Sequence, residues 1–411
     1  MERVRRSWQQ AWPWLLAGAL AVVAFASSLT ASFALHLDAF RDYNAAGWTL
    51  RHAPDKWLYK AKRLVRGDLS AEEKGRRVAR YFELNRLIQS AERTLADART
   101  PEERRRSVAA DVLAMREERE RLENSVEDVL EGRVTAVLEE LGLASHPLGP
   151  PGPELVWPPV DFEFDRPPGV LVVSPRERIE VLSQRLVSGD LTSEAMDALE
   201  ESYRARDLSA LVAGVRGIGT YPALVQPEAD YEATLQSIAH EWLHHYLFFA
   251  PLGRRYFQSG ELVTLNETVA NIAGREIGTL TACRYPLPAA ATAPAPPAQT
   301  AQLDLTGALR QLRVEVETLL AAGRVDDAER LMEERRRELM EHGYYFRKIN
   351  QAFFAFHGRY ADTPASIDPI GPKLEALRAA YPDVGAFVRA VRNLTSAAGL
   401  DRALARDALA K

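Results

Sequence analysis

The chain has 411 residues, 46% apolar and 27% charged, with 24 Gly and 24 Pro. These are ordinary values for one large domain or two to three smaller ones, and they exclude collagen-like, wholly disordered and repeat-only architectures. The net charge of −5, from 52 basic and 57 acidic residues, gives no sequence-wide basic footprint for nucleic acid, and the lone cysteine, Cys283, can build neither an internal disulfide nor a thiolate metal cage.

Residues 1–10 read as a cytoplasmic tail and 11–37 as a transmembrane anchor. No Lys, Arg, Asp or Glu occurs from Trp12 to Leu37, and Trp14–Leu35 is long enough to cross about 30 Å of hydrocarbon. Arg3, Arg5 and Arg6 precede this run, which favours a cytoplasmic N-terminus and places the rest of the chain outside the membrane. Ala24-Phe-Ala26 offers a signal-peptidase site after a shorter apolar core, but the run continues well past it, so anchoring is the stronger reading. A buried soluble helix is the weakest reading, given the basic flank and the length of the uncharged run.

Residues 38–149 form a juxtamembrane segment and a helical hairpin. Trp48, Trp57 and Tyr59 are expected at or near the membrane interface. Ser70-Ala-Glu-Glu73 is a capping box, followed by Val78, Tyr81, Phe82, Leu84, Leu87 and Ile88 at helical spacing. Thr100-Pro-Glu-Glu103 reads as a second box, with a stripe through Val108, Val112, Met115, Leu122, Val126 and Val129. Such a hairpin serves as a stalk or, as the better expectation, packs against the downstream domain. The run His146-Pro-Leu-Gly-Pro-Pro-Gly-Pro153 suits neither a helix nor a central strand and marks a boundary.

Residues 150–285 are expected to form the central core. Val160–Phe164 and Gly169–Val173 read as strands, Thr192–Ala205 as a helix and Leu208–Val225 as β-rich with Gly214, Gly217 and Gly219. Asp230–Ala250 is strongly helical, is stopped by Pro251-Leu-Gly253, and is followed by a helix from about Leu262 to Gly278. Residues 286–302 are a Pro/Ala-rich linker, and 303–411 a C-terminal helical region. In that region Arg335-Arg-Arg337 sits among Glu333, Glu334 and Glu338 and reads as a solvated helix face.

With cysteine excluded, a metal site must come from His, Asp and Glu. Three of the eight histidines fall in the segment His240-Glu241-Trp-Leu-His244-His245, which contains H-E-x-x-H. On a helix, His240 and His244 share one face and can reach one ion, while Glu241, about 100° round the axis, can act on a water held there without ligating the ion. The helix is apolar nearly all round, so these polar groups are expected to be buried, which is costly unless something pairs with them. Zinc needs a third protein ligand and a position left for water. Glu267, 23 residues after His244, suits a second helix packed back on the first, with Ala270, Gly274 and Gly278 on its face allowing close approach. Asn271 is placed to orient a ligand histidine, Glu261 is the alternative third ligand, and His245 is a neighbour rather than a ligand.

HEWLH followed by NETVAN resembles the gluzincin branch of zinc metallopeptidases, whose pattern is H-E-x-x-H and then N-E-x-x-x-[DN] on a following helix. More narrowly, YEATLQSIAHEWLHHYLF, LNETVANIAGREIG and KINQAFFAFHGRY are similar to a family of bacterial aminopeptidases over roughly residues 155–395. The resemblance implies an α+β zincin-like core with a mixed sheet. It implies zinc on His240, His244 and Glu267, with Glu241 as catalytic base acting on a peptide or protein substrate. The chain departs from the pattern in having Asn271 where an acid is usual. It also has no G-x-M-E-N-type stretch, the element that captures a free amino terminus, so the resemblance implies a metallopeptidase more firmly than an aminopeptidase.

Within KINQAFFAFHGRY, Asn350, Phe353, Phe354 and His357 recur at helical spacing with Tyr360 beyond them; Tyr360 and His357 are the expected donors to the oxyanion. The strand around Gly214–Val225 is the expected edge for an extended substrate. The competing expectation is a catalytically silent zincin scaffold that binds peptides or partner proteins; the intact Glu241 argues against it. The sequence gives no oligomeric state.

Overall fold

The computed structural model describes residues 43–52, 56, 69–97, 99–147, 149, 152–288 and 303–409. The anchor expected over 11–37, Trp57, Tyr59 and residues 289–302 of the linker lie outside them. Among the described residues no helix is long and apolar enough to cross a membrane. The protein is mixed α and β, with small sheets and a helical C-terminal region.

Helix α1 (Ala71–Ala96) starts where Ser70 accepts a hydrogen bond from the Glu73 amide, and it buries Val78, Tyr81, Phe82, Leu84 and Ile88. Helix α2 (Glu102–Glu140) begins at Pro101 without a side-chain cap, because the Thr100 hydroxyl donates backward to the Thr94 carbonyl. Thr100 therefore links the turn to α1 instead of forming the expected box. The first half of α2 is mostly exposed, whereas Val126, Val129, Leu130, Val134, Val137 and Leu138 are buried.

After a two-residue ribbon, β1 (Ala144–Ser145) with β2 (Leu155–Val156), come two three-stranded sheets. One has the order β3–β8–β7, where β3 (Phe162–Phe164) runs parallel to β8 (Ala223–Val225) and β7 (Gly217–Ile218) pairs antiparallel to it. The other is antiparallel, in the order β5–β4–β6, with β4 (Gly169–Pro175) between β5 (Ser183–Val187) and β6 (Leu208–Gly214). Strand β4 is buried along its whole length, as its apolar run predicts. Strand β5 escapes sequence reading because its first three residues, Ser183-Gln-Arg185, carry no apolar alternation. Helix α3 (Ser193–Arg204), capped by Thr192, precedes β6.

Helix α4 (Tyr231–Phe248) is capped by Asp230 and carries the H-E-x-x-H segment. Pro251 does not simply stop the chain but opens a short helix, α5 (Pro251–Arg254), as suits proline in a first turn. A 3₁₀ turn over Tyr256–Gln258 leads into α6 (Gly260–Arg284), capped by Ser259 and longer at both ends than its pattern suggests. Among the described residues six further helices follow: α7 (Leu305–Ala321), α8 (Val325–Glu341), α9 (Gln351–His357), α10 (Ile370–Ala380), α11 (Val384–Val391) and α12 (Ala397–Leu409).

The largest core joins α1, the second half of α2, the β3–β8 pair, α4 and α6 to α10–α12, with Trp242, Phe162 and Phe387 among its fully buried side chains. A second core packs α7–α9 against β4, β5 and β6. Trp48, expected at or near a membrane interface, is buried within the protein. It is 3% exposed, and its indole donates to Asp165 Oδ2 at 2.6 Å, satisfying the one polar group it buries.

Candidate active site

Helices α4 and α6 meet along a glycine seam. A Cβ on Gly274 would lie 2.9 Å from the His240 Cα, and one on Gly278 only 2.4 Å from the Gln236 backbone nitrogen. Glycine at these two positions brings Glu267 on α6 level with the histidines on α4. His240 Nε2 and His244 Nε2 lie 3.0 Å apart, and Glu267 Oε2 is 3.7 and 3.6 Å from them. All three ligand-type atoms fall within 4.8 Å of one another. The histidine side chains keep 17% and 18% exposure, so the triangle opens toward solvent.

The other ends of these groups are held. His244 Nδ1 is 2.9 Å from Asn266 Oδ1, while the Asn271 side chain and the Ala270 backbone lie where they favour the charged form of His240. Asn271 Nδ2 donates to Asp362 Oδ1 at 3.1 Å, and Arg275 pairs with Asp362 Oδ2 at 2.9 Å. The Tyr256 hydroxyl donates to Glu267 Oε1. Asn271 is thus tied to Asp362, an acid that lies beyond α6 and not on it.

Burial and the repulsion of its neighbour His244 push His240 down to about 4. Burial also opposes a charge on His244, but the Glu267 carboxylate outweighs it and raises His244 to about 9. Glu267 falls to about 2, because the two histidines and Tyr256 outweigh its desolvation. Glu241, buried and facing the Glu267 charge, rises to about 8, with His244 pulling the other way. Its carboxylate lies against β7, where a Cβ on Gly217 would come within 2.5 Å of Oε1. The Gly217 position therefore leaves room for the acid, and the β7 edge runs directly past it.

The triangle lies in a cleft of about 710 Å³. Its walls are β5 with the turn before it, β7 with Val215 and Gly219, α4, the α5–α6 connection, and Phe356, Arg359 and Tyr360. Tyr360 is thus in the cleft, with its hydroxyl held well above its ordinary pKa by burial and by the Glu267 and Glu241 charges. His357 is not in the cleft. It packs on Phe353 and Phe356 and lines a separate groove with Arg347, where burial lowers it to about 4. The expectation that both face the cleft fails because α9 ends at His357: Asn350 caps the helix, and the chain turns at Gly358, so Tyr360 leaves the helical phase of His357.

His245 points away, its Nε2 2.7 Å from the Thr220 carbonyl, and Glu261 accepts from the Ala397 amide outside the cleft. Tyr256, Asn266, Asp362, Gln184 and Arg359 escaped sequence reasoning as site residues. Only Asn266 carried a local signal, the Asn directly before Glu267 in the N-E pair. Comparisons of the chain with protein-family models, with curated proteins and with solved structures gave no match.

Proposed function

We propose that the chain is a membrane-anchored, zinc-dependent metallopeptidase of gluzincin type, built on a zincin-like core, with its catalytic part outside the cytoplasm. The observation that carries the reading is the His240–His244–Glu267 triangle. Zinc–nitrogen and zinc–oxygen bonds of about 2.0–2.2 Å in tetrahedral array put ligand atoms about 3.4 Å apart, and the three separations are 3.0, 3.6 and 3.7 Å. The donor set of two imidazoles and one carboxylate matches catalytic zinc, and the His244 imidazole is oriented through its other nitrogen by Asn266. When bound, zinc supplies Lewis-acid chemistry, lowering the pKa of water to about 7 and polarising a carbonyl.

The chain's own residues do the rest. Glu241, beside the triangle but not part of it, takes the proton of the attacking water and delivers it to the leaving amine. Its raised pKa suits it to both transfers. Tyr360 keeps its proton and donates a hydrogen bond to the developing oxyanion. Tyr256 fixes the Glu267 carboxylate from behind. The edge strand β7, passing beside Glu241, offers main-chain hydrogen bonds to an extended peptide.

The test is zinc content by plasma mass spectrometry on the full-length chain and on Glu267→Ala, followed by hydrolysis of a mixed peptide library. One zinc per chain, lost or much weakened in Glu267→Ala, and zinc-dependent cleavage are expected. A wild-type chain that takes up no zinc on reconstitution sinks the reading.

A further inference from the structure

Among the described residues, the charged groups that line the cleft divide unevenly in what they are engaged in: both carboxylates belong to the motif and neither guanidinium does. Its carboxylates are Glu241 and Glu267, and both are committed to the motif. The other two charged residues on its walls are Arg254 and Arg359. Arg254 is exposed at the rim and donates to the Phe249 carbonyl. Arg359 is only partly exposed; its Nη1 donates to Gln184 Oε1 at 2.8 Å, which ties it to β5. It pairs with no carboxylate among the described residues, so its charge is held in place but not neutralised. A guanidinium has five N–H donors in a fixed fork, and Gln184 uses one of them.

This difference in engagement bears on which end of a peptide the cleft can read. A free amino terminus is captured by acids, and among the described residues the cleft has none beyond the two in the motif. A carboxylate is captured by a guanidinium, and one stands ready in the same cleft as the ligand triangle.

We propose that the cleft takes peptides presenting a carboxylate, and that Arg359, held against β5 by Gln184, is the residue that selects them. Two sources share this chemistry, the C-terminal α-carboxylate and an Asp or Glu side chain. The inference rests on the metallopeptidase reading in that it takes the ligand to be a peptide.

The experiment uses the full-length chain carrying Glu241→Gln, so that bound peptide is not consumed. Titration calorimetry, with and without added zinc, compares four otherwise identical hexapeptides: free C-terminus, C-terminal amide, amide with an internal Glu, and amide with an internal Gln. A charge-assisted pair predicts binding tighter by about tenfold or more for the carboxylate-bearing peptides. Arg359→Gln abolishes that margin while leaving the plain amide unaffected, and Arg359→Lys restores part of it. A margin confined to the free C-terminus assigns the α-carboxylate, and one confined to the internal Glu assigns the side chain.

Equal affinity for all four peptides, no binding of any, or a margin that survives Arg359→Gln overturns the inference. If Arg359→Gln does not fold, the four-peptide comparison on the Glu241→Gln chain decides alone. Wild-type hydrolysis of amide and carboxylate peptides at one rate removes this inference but leaves the peptidase reading. A binding margin without any hydrolysis by the zinc-loaded wild type does the reverse.

Discussion

Two groups of buried ionisable side chains sit at opposite edges of the β3–β8–β7 sheet. At the β3 edge, the Lys56 ammonium lies 2.9–3.6 Å from Glu127, Glu131, Asp161 and Glu163. Amides of the sheet add to it: Phe164 N–H donates to Glu127 and Phe162 N–H to Glu131. At the β7 edge, His240, Glu241, His244 and Glu267 have no Lys or Arg among their ion-pair or hydrogen-bond partners within the described residues. The first group brings its own cation and is closed, with the lysine side chain 2% exposed. The second is open to a cleft and has no Lys or Arg paired with it among the described residues. Burial of charge alone does not mark a site; burial without a resident counter-ion does.

Three substitutions press on this contrast. The largest effect is expected at the open group: Glu241→Gln keeps the shape and removes the proton acceptor, so kcat in steady-state assays falls about a thousandfold while zinc content is unchanged. Activity within tenfold of wild type would return Glu241 to the role of a packed acid. At the closed group, Lys56→Met strands four carboxylates, and denaturant unfolding should show a loss of about 3–5 kcal/mol at pH 8. Glu127, raised to about 7 chiefly by burial, and Glu163, also raised by it, can then take up protons. The loss should therefore shrink toward pH 5. A loss independent of pH would show that packing, not charge, holds the cluster.

The smallest effect concerns Glu123, beside that cluster, whose carboxyl is raised to about 8 by burial and by Glu127 and which accepts a bond from the Tyr81 hydroxyl. A carboxyl raised in the folded state contributes its full stability below the unfolded pKa near 4.5, and loses it as pH climbs toward 8. Glu123→Gln should flatten the fall in Tm between pH 5 and 8 and raise Tm by a few degrees at pH 8. An unchanged slope in the pH–Tm profile would remove Glu123 from the account.

Legibility in the sequence divides along the same line. His240, Glu241, His244 and Glu267, with Asn271 behind them, lie on two helices whose phase and seam glycines fix their geometry from local spacing alone. Arg359, Tyr256 and Asp362 lie on turns, and Lys56 meets its acids across long stretches of chain, so no period announces them. The α9 stripe shows the limit in one residue pair. Helical spacing joined His357 to Tyr360, and a single turn at Gly358 sent them to different cavities. Trp48 is a related case: its burial and its bond to the distant Asp165 have no local signal in a sequence that shows only a tryptophan near an apolar run.

Main chain rests on main chain where α4 meets α6, at Gly274 and Gly278. The gauge of the ligand triangle is therefore set by two stiff rods in direct abutment, and not by the rotamers of interposed side chains. The walls of the cleft, by contrast, come partly from turns and a two-residue edge strand. The part of the fold that sets the dimensions of the triangle thus has no soft spacer in it.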